Sequence, residues 1–187
     1  MNNFQRECQN IGREGIDKLL NWIHRTDFNI APASTVFHGN FTGGLAEHSY
    51  NVYVELKKLA DFYCPGKYSE ETLRIVALFH DICKADFYIT STRNVKNEKT
   101  GQWEKKPFYK KEEKEPFGGH GSKSVFLIMQ YMKLSFEEAS AINCHMGAWD
   151  KSEYADPGAV YEKNELAWML HIADERATYF VDVKEEV

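Results

Sequence analysis

The stretch at residues 78–84 reads Leu-Phe-His-Asp-Ile-Cys-Lys and gives the strongest indication of the fold. It closes the segment 70–84, whose residues are apolar nearly all the way round, and this pattern predicts a short buried helix. An ionisable pair such as His80 and Asp81 is costly inside such a helix unless something compensates for it. A bound cation would compensate, since imidazole and carboxylate together suit Mn, Fe, Zn or Mg. Lys84 follows one turn later on the same helical face, as expected of a metal site that binds a phosphate.

The pair also has an ordinary interpretation, as a core histidine beside a salt bridge from Asp81 to Lys84, because ion-pair networks are common on helices. Two further residues favour the metal site. His48 lies 32 residues before His80, early in a helix predicted over 45–63. Asp174 lies 94 residues after His80, in a second apolar helix predicted over 163–181.

This order resembles the HD-domain phosphohydrolase superfamily, whose defining pattern is H…HD…D. Two flanking patterns also match, Gly-Gly-Leu-x-Glu-His at 43–48 and Leu-x-His-Asp-Ile-x-Lys at 78–84. The resemblance covers about 40–180 and implies an all-α fold, a helical bundle, here with a β-hairpin excursion near 87–117. The chain is therefore predicted to be a metal-dependent phosphohydrolase.

Two more histidines extend the pattern. His120 stands in a Gly-Gly-His-Gly segment and His145 closes a helix predicted over 136–145. The order H…HD…H…H…D resembles the binuclear branch of the superfamily, in which two metals share the central aspartate; this branch includes cyclic-dinucleotide phosphodiesterases. The segments around His48 and His120 also resemble the HD domains of some bacterial 3′–5′ exoribonucleases. The resemblance implies six metal ligands: His48, His80, Asp81, His120, His145 and Asp174.

The resemblance further implies two divalent ions, Mn or Fe, with Mg, Ni or Zn also compatible. Metal-activated hydroxide would then cleave a phosphomonoester or phosphodiester of a nucleotide or short oligonucleotide. Asp81 and Lys84 are the predicted catalytic residues, with Lys84 placing a point charge against a phosphoryl oxygen. Two alternatives stay open: a catalytically silent nucleotide-binding sensor that uses the same metal pocket, and a protein whose metal only holds its helices together.

The other site candidates are weaker. Cys83 stands where the family usually has glycine, and we interpret it as a small buried side chain. His171 lies one turn before Asp174 and either supports the metal site or is an ordinary core histidine. His24 and His38 lie outside any motif and are predicted to be structural or surface residues.

The insertion 87–119 is predicted to be a β-hairpin whose two ends are both next to proposed ligands in the sequence. It carries eight basic and five acidic residues, a net charge of +3, so the rest of the chain sums to −8. Its six aromatic residues include Trp103 and Tyr109, the predicted substrate contacts, since a basic aromatic flap could stack a base and attract phosphates. The alternative is a solvated hairpin whose aromatic residues pack on the body.

The bulk properties fit this picture. The 187 residues suit one domain with an N-terminal helical segment over 1–30. The net charge of −5 argues against a protein that coats nucleic acid, so no stable duplex partner is expected. Neither a membrane span nor a signal peptide is predicted, and the cysteines form no CxxC pair. We therefore expect a cytoplasmic protein with a small phosphorylated partner.

Overall fold

The computed structural model describes residues 1–35, 38–149 and 156–182. Pro32 and several small residues predict a loop over 26–43, and residues 36–37 of this stretch lie outside the described ranges. Within these ranges the chain is mostly helical with one antiparallel hairpin, as predicted. The α-helices are α1 (Asn3–Cys8), α2 (Ile16–Ile23), α3 (Gly44–Tyr63), α4 (Glu70–Phe79), α5 (His120–Met129), α6 (Phe136–Cys144), α7 (Pro157–Tyr161) and α8 (Glu165–Arg176).

The helix predicted over 70–84 ends earlier than expected. Ser69 caps it by accepting a hydrogen bond from the Thr72 backbone N–H, but α4 stops at Phe79. Asp81 has φ −110° and ψ 22°, outside the helical region, and the 3-10 turn Ile82–Lys84 follows. Successive side chains on an α-helix point about 100° apart. Ending the helix lets two adjacent side chains turn toward one centre.

Three other boundaries differ from the sequence prediction. The sequence also predicts a helix over 122–133, and the observed α5 begins at His120. The Pro157-Gly158 pair is typical of a loop, but Pro157 starts α7, because proline is well tolerated in the first helical turn. The helix predicted over 163–181 is α8 followed by one π-helical turn, Ala177–Val181.

The core forms around α3, which packs against α4 on one side and α8 on the other. α6 packs on α8, and α5 packs on α6. Leu45 and Leu56 from α3 and Leu78 from α4 are fully buried between these helices. In the described ranges we find no helix with the length and apolar character that crossing a bilayer requires.

The hairpin consists of β1 (Tyr88–Lys96) and β2 (Trp103–Lys111). Tyr88 pairs with Lys111 at the root, and Lys96 pairs with Trp103 next to the turn. The root is fixed to the body, because the buried Tyr88 hydroxyl donates a hydrogen bond to the Ala33 carbonyl at 3.1 Å. The rest of the hairpin extends from the body with most side chains exposed.

Candidate metal centre

The six predicted ligands come from five separate elements and meet at one buried centre. His48 lies on α3, and its Nε2 is 3.1 Å from Oδ1 of Asp174 on α8. His80, at the end of α4, places its Nε2 3.9 Å from the same oxygen and 3.4 Å from Oδ2 of Asp81. His145, at the end of α6, places its Nε2 3.5 Å from Asp81 Oδ1.

These residues form three overlapping groups whose potential ligand atoms lie within 4.8 Å of one another. The first two share His80, and the first and third share Asp81. The groups are His48, His80 and Asp81; His80, His145 and Asp174; and Asp81, Cys83 and His120. The arrangement therefore gathers all six residues and adds Cys83.

Backbone carbonyl groups fix the orientation of two of the histidine rings. Nδ1 of His80 donates to the Ala77 carbonyl and Nδ1 of His145 donates to the Ile142 carbonyl, both at 2.7 Å. A carbonyl oxygen only accepts, so these Nδ1 atoms carry protons, and the Nε2 atom of each ring is the one that can offer a lone pair to a cation at the centre. This is the tautomer that metal-binding histidines use.

The atoms that face the centre lack hydrogen-bond partners. They are buried and are Nε2 of His48, His80 and His145, together with Oδ1 of Asp81. A neutral Nε2 lone pair facing a carboxylate oxygen is unfavourable unless a cation or a proton lies between them. The donor set therefore fits a divalent cation bound by imidazole and carboxylate groups.

A proton serves the same purpose at His48 when no cation is there. Burial disfavours the charged ring, but the carboxylates of Asp174 and Asp182 on either side of it outweigh this effect and raise the pKa of His48 to about 9. Burial acts against ionisation of Asp81 too, yet Lys84 and His80 hold the pKa of that carboxyl well below its usual value. Cation and proton thus compete for the same Nε2.

Asp182 was not predicted from the sequence. Its Oδ2 accepts a hydrogen bond from Nδ1 of His48 at 2.6 Å, and its Oδ1 accepts one from Nδ2 of Asn51 at 2.7 Å. The carboxylate thus holds the third ring with Nε2 toward the centre. A signal was present, because Asp182 lies eight residues after Asp174 and so falls on the same helical face.

Replacing Asp182 with alanine is therefore expected to weaken metal binding roughly 10–100-fold, as loss of a partner behind a ligating histidine generally does. Isothermal titration with Mn²⁺ would measure the affinity of the full chain. Asp61→Ala is the control, since Asp61 is exposed on the same helix as His48. Equal affinity in both variants would show that Asp182 does not orient His48.

Close backbone approaches position two of the ligands. A Cβ atom on Gly44 would lie 1.9 Å from the Gly39 carbonyl oxygen, so only glycine allows α3 to start there and to place His48. A Cβ atom on Gly121 would lie 2.2 Å from the Asn143 carbonyl oxygen. Glycine thus brings the start of α5, which carries His120, against the end of α6.

His171 and Cys83 lie next to the ligands. Nδ1 of His171 donates to the backbone carbonyl of His145 at 2.7 Å, so this histidine supports the loop that carries a ligand. Sγ of Cys83 lies 3.3 Å from Nδ1 of His120. Burial raises the pKa of the Cys83 thiol to about 12, which keeps it neutral while no cation is bound.

A cavity of about 930 Å³ opens onto this centre. Asp81, Lys84 and Asp174 line it, with Lys111 at the hairpin root. Nζ of Lys84 lies 2.5 Å from Oδ2 of Asp81, and only 12% of the Lys84 side chain is exposed. The centre is therefore reached from one side by a pocket that carries a buried positive charge.

His38, predicted to be a structural or surface residue, also lines this cavity. Its ring centroid lies 4.8 Å from that of His48, and both its ring nitrogens are buried without a hydrogen-bond partner. Of the three predicted substrate contacts, Lys84 lines the cavity, whereas Trp103 and Tyr109 are not among the described residues that line it. Trp103 is 70% exposed at the hairpin tip, and Tyr109 places its hydroxyl 3.5 Å from Thr42 Oγ1.

The fold and the site together define an all-α protein with a buried histidine–carboxylate centre suited to divalent metal. The family model for the HD domain matches residues 45–179, well over half of the chain. The chain therefore belongs to the HD-domain family, which groups it with the metal-dependent phosphohydrolases. Searches of curated proteins and of solved structures gave no significant match.

Proposed function

We propose that the chain is a phosphohydrolase that uses two divalent ions to cleave a phosphomonoester or phosphodiester bond of a nucleotide or short oligonucleotide. One observation carries the proposal: Asp81, whose Oδ1 is buried without a hydrogen-bond partner, and Asp174 line a cavity that also holds Lys84. A purely structural metal site is closed and needs no such cavity. Reactive sites keep positions open for water and substrate.

In this proposal His48, His80, Asp81 and Asp174 hold one ion. His120 and His145 hold a second ion and share Asp81 with the first. The overlap of the three ligand groups at His80 and Asp81 supports two neighbouring sites rather than two distant ones. Mn or Fe suits the mixed nitrogen and oxygen donors, and Mg, Ni or Zn is compatible with them.

Bound divalent ions would supply Lewis acidity to phosphoryl oxygens and lower the pKa of a water. Side chains of the protein would supply a positive charge and a hydrogen-bond donor for the phosphate. Lys84 is held in the cavity wall beside Asp81, where it can face a phosphoryl oxygen. One nitrogen of the neutral His38 ring carries a proton. Because neither ring nitrogen has a hydrogen-bond partner in the protein, this N–H can donate to a phosphate or to a leaving group.

The described residues that line the cavity include no serine or cysteine. Cys83 is the thiol beside His120, but it lies outside this lining and belongs to the third ligand group, so a bound cation would hold its sulfur as a ligand. Attack by activated water therefore fits the site better than a covalent enzyme intermediate.

The cavity supports a nucleotide-sized substrate. Its volume of about 930 Å³ lies in the upper range of small-molecule pockets, roughly 300–1,000 Å³. Lys84 and Lys111 contribute positive charge to its wall, which suits a phosphorylated ligand.

We place this activity in the cytoplasm. We also expect no stable duplex partner, because the net charge is −5.

The proposal is tested by a substrate screen of the Mn-loaded protein. The panel contains phosphomonoesters, nucleoside triphosphates, cyclic dinucleotides, short oligonucleotides and an aryl-phosphate reporter. We expect nucleotide-containing substrates to show a higher kcat/KM than small non-aromatic phosphoesters. Binding of nucleotides without any hydrolysis would indicate a sensor instead, and unfolding on metal removal without any hydrolysis would indicate a structural metal.

A further inference from the structure

The two faces of the hairpin differ in chemistry. Side chains alternate between faces along a strand, so the pairing register assigns each residue to one face. One face, called the track face here, carries three lysines and no acidic residue. Its members are Tyr88, Thr90, Thr92, Asn94 and Lys96 from β1, and Trp103, Lys105, Pro107, Tyr109 and Lys111 from β2.

The track face is continuous with the cavity. Lys111 lines the cavity, and Tyr88 next to it is hydrogen-bonded to Ala33. The Tyr109 hydroxyl lies 3.5 Å from Oγ1 of Thr42, close in sequence to the cavity-lining residues 38–41. Trp103 lies at the other end of β2, eight residues from Lys111, which corresponds to about 27 Å along a strand.

The track face is also open. Eight of its ten residues are exposed; the exceptions are Tyr88 and Tyr109. On β2, basic and aromatic residues occupy four of its five positions, in the order lysine, tyrosine, proline, lysine, tryptophan outward from the cavity. Flat aromatic rings interleaved with cations suit a chain that alternates bases and phosphates.

The opposite face lacks this organisation. Its aromatic residue, Phe108, is half-buried and is covered by the guanidinium of Arg93, 5.5 Å from the ring centroid. It carries three basic residues, Arg93, Lys106 and Lys110, and also an acidic residue, Glu104. Both faces can therefore attract a polyanion, but the track face is the one that adds an exposed aromatic ring, Trp103, on which a base can stack.

We propose that the track face binds a single-stranded oligonucleotide and leads one of its ends into the cavity. The proposal rests on the phosphohydrolase function proposed above and names its substrate class. Phosphates contact Lys96, Lys105 and Lys111, while bases stack on Trp103 and Tyr109. A duplex is excluded as the occupant because its bases are already stacked on each other and present no free ring face.

The test measures binding without turnover, so it succeeds or fails independently of the hydrolase function. Fluorescence anisotropy with labelled oligothymidylates of two to twelve nucleotides, in EDTA, gives the Kd of the full chain. We expect the affinity to increase with length, because longer strands reach Trp103. Three phosphate contacts predict a slope of log K against log salt of about −2.

The double variant Trp103→Ala/Lys105→Ala should lose the length dependence and bind the twelve-mer about tenfold or more weakly. Its matched control is Lys106→Ala/Phe108→Ala, which removes the same charge and one aromatic ring from the opposite face of the same strand. The control should keep the length dependence. Thermal unfolding of both variants checks that the body is intact.

The proposal would be overturned by equal effects of the two double variants, by a wild-type affinity independent of length, or by equally tight binding of a duplex. Tight binding of poly-glutamate of equal charge would also overturn it, since the face would then be a general polyanion surface. The two proposals can also be separated. If Trp103→Ala/Lys105→Ala loses oligonucleotide binding while even the wild type does not hydrolyse the aryl phosphate, the track face binds oligonucleotides but the phosphohydrolase function is wrong.

Discussion

Replacing Asp81 with alanine is expected to abolish metal binding and hydrolysis together. The Asp81 carboxylate lies 3.4 Å from His80 Nε2 and 3.5 Å from His145 Nε2, and it belongs to two of the three ligand groups. Its removal takes away the one oxygen donor placed to serve both proposed ions. Metal content per chain after dialysis and kcat on the best substrate are the two measurements.

Interpretation of this variant needs a folding control, because Asp81→Ala leaves Lys84 buried without its carboxylate partner. An uncompensated buried charge commonly costs about 3–5 kcal/mol of stability. The double variant Asp81→Ala/Lys84→Met removes both charges and should recover stability without recovering metal. A folded double variant that binds two ions normally would contradict the bridging role.

Much of the fold could be predicted from the sequence, because burial forces periodic apolar patterns. The apolar face that includes Leu45 predicts one helix, the apolar segment around Leu78 predicts a buried one, and both side chains are fully buried in the core. Turn residues between two strand-like runs predict the hairpin, which lies close to its expected bounds. The order of the histidines and aspartates along the chain predicts that they form one metal site, and the structure brings them together.

Other features of the site depend on tertiary contacts that local patterns do not specify. The early end of α4 lets His80 and Asp81 both point toward one centre. The other ligands of that centre come from helices distant in sequence, so the local pattern does not indicate where α4 ends. His38 has no motif of its own and acquires its place only because its loop packs its ring on His48. Asp182 shares a helical spacing with Asp174, but many surface acids have such a spacing. Only the folded chain shows that Asp182 contacts His48.

The Lys84→Ala variant is expected to keep its metal and to lose turnover by about 10²–10³-fold, the usual effect of removing one electrostatic contact to the transition state. Lys84 is held beside Asp81 in the cavity wall, so its charge is fixed before substrate arrives. Removing a cation next to a proposed ligand also lowers the repulsion that a divalent ion meets there. Metal affinity should therefore stay equal or increase while kcat decreases.

Opposite changes in affinity and rate distinguish this role from a structural one. Unfolding would lower metal binding and turnover together, whereas loss of a charge directed at phosphate lowers turnover alone. Lys67→Ala is the control, since Lys67 pairs with Glu165 and lies outside the cavity lining. Lys84→Arg should recover only part of the rate, because a guanidinium keeps the charge but presents a wider, planar group. Normal turnover of Lys84→Ala on the preferred substrate would assign Lys84 to compensating Asp81 alone.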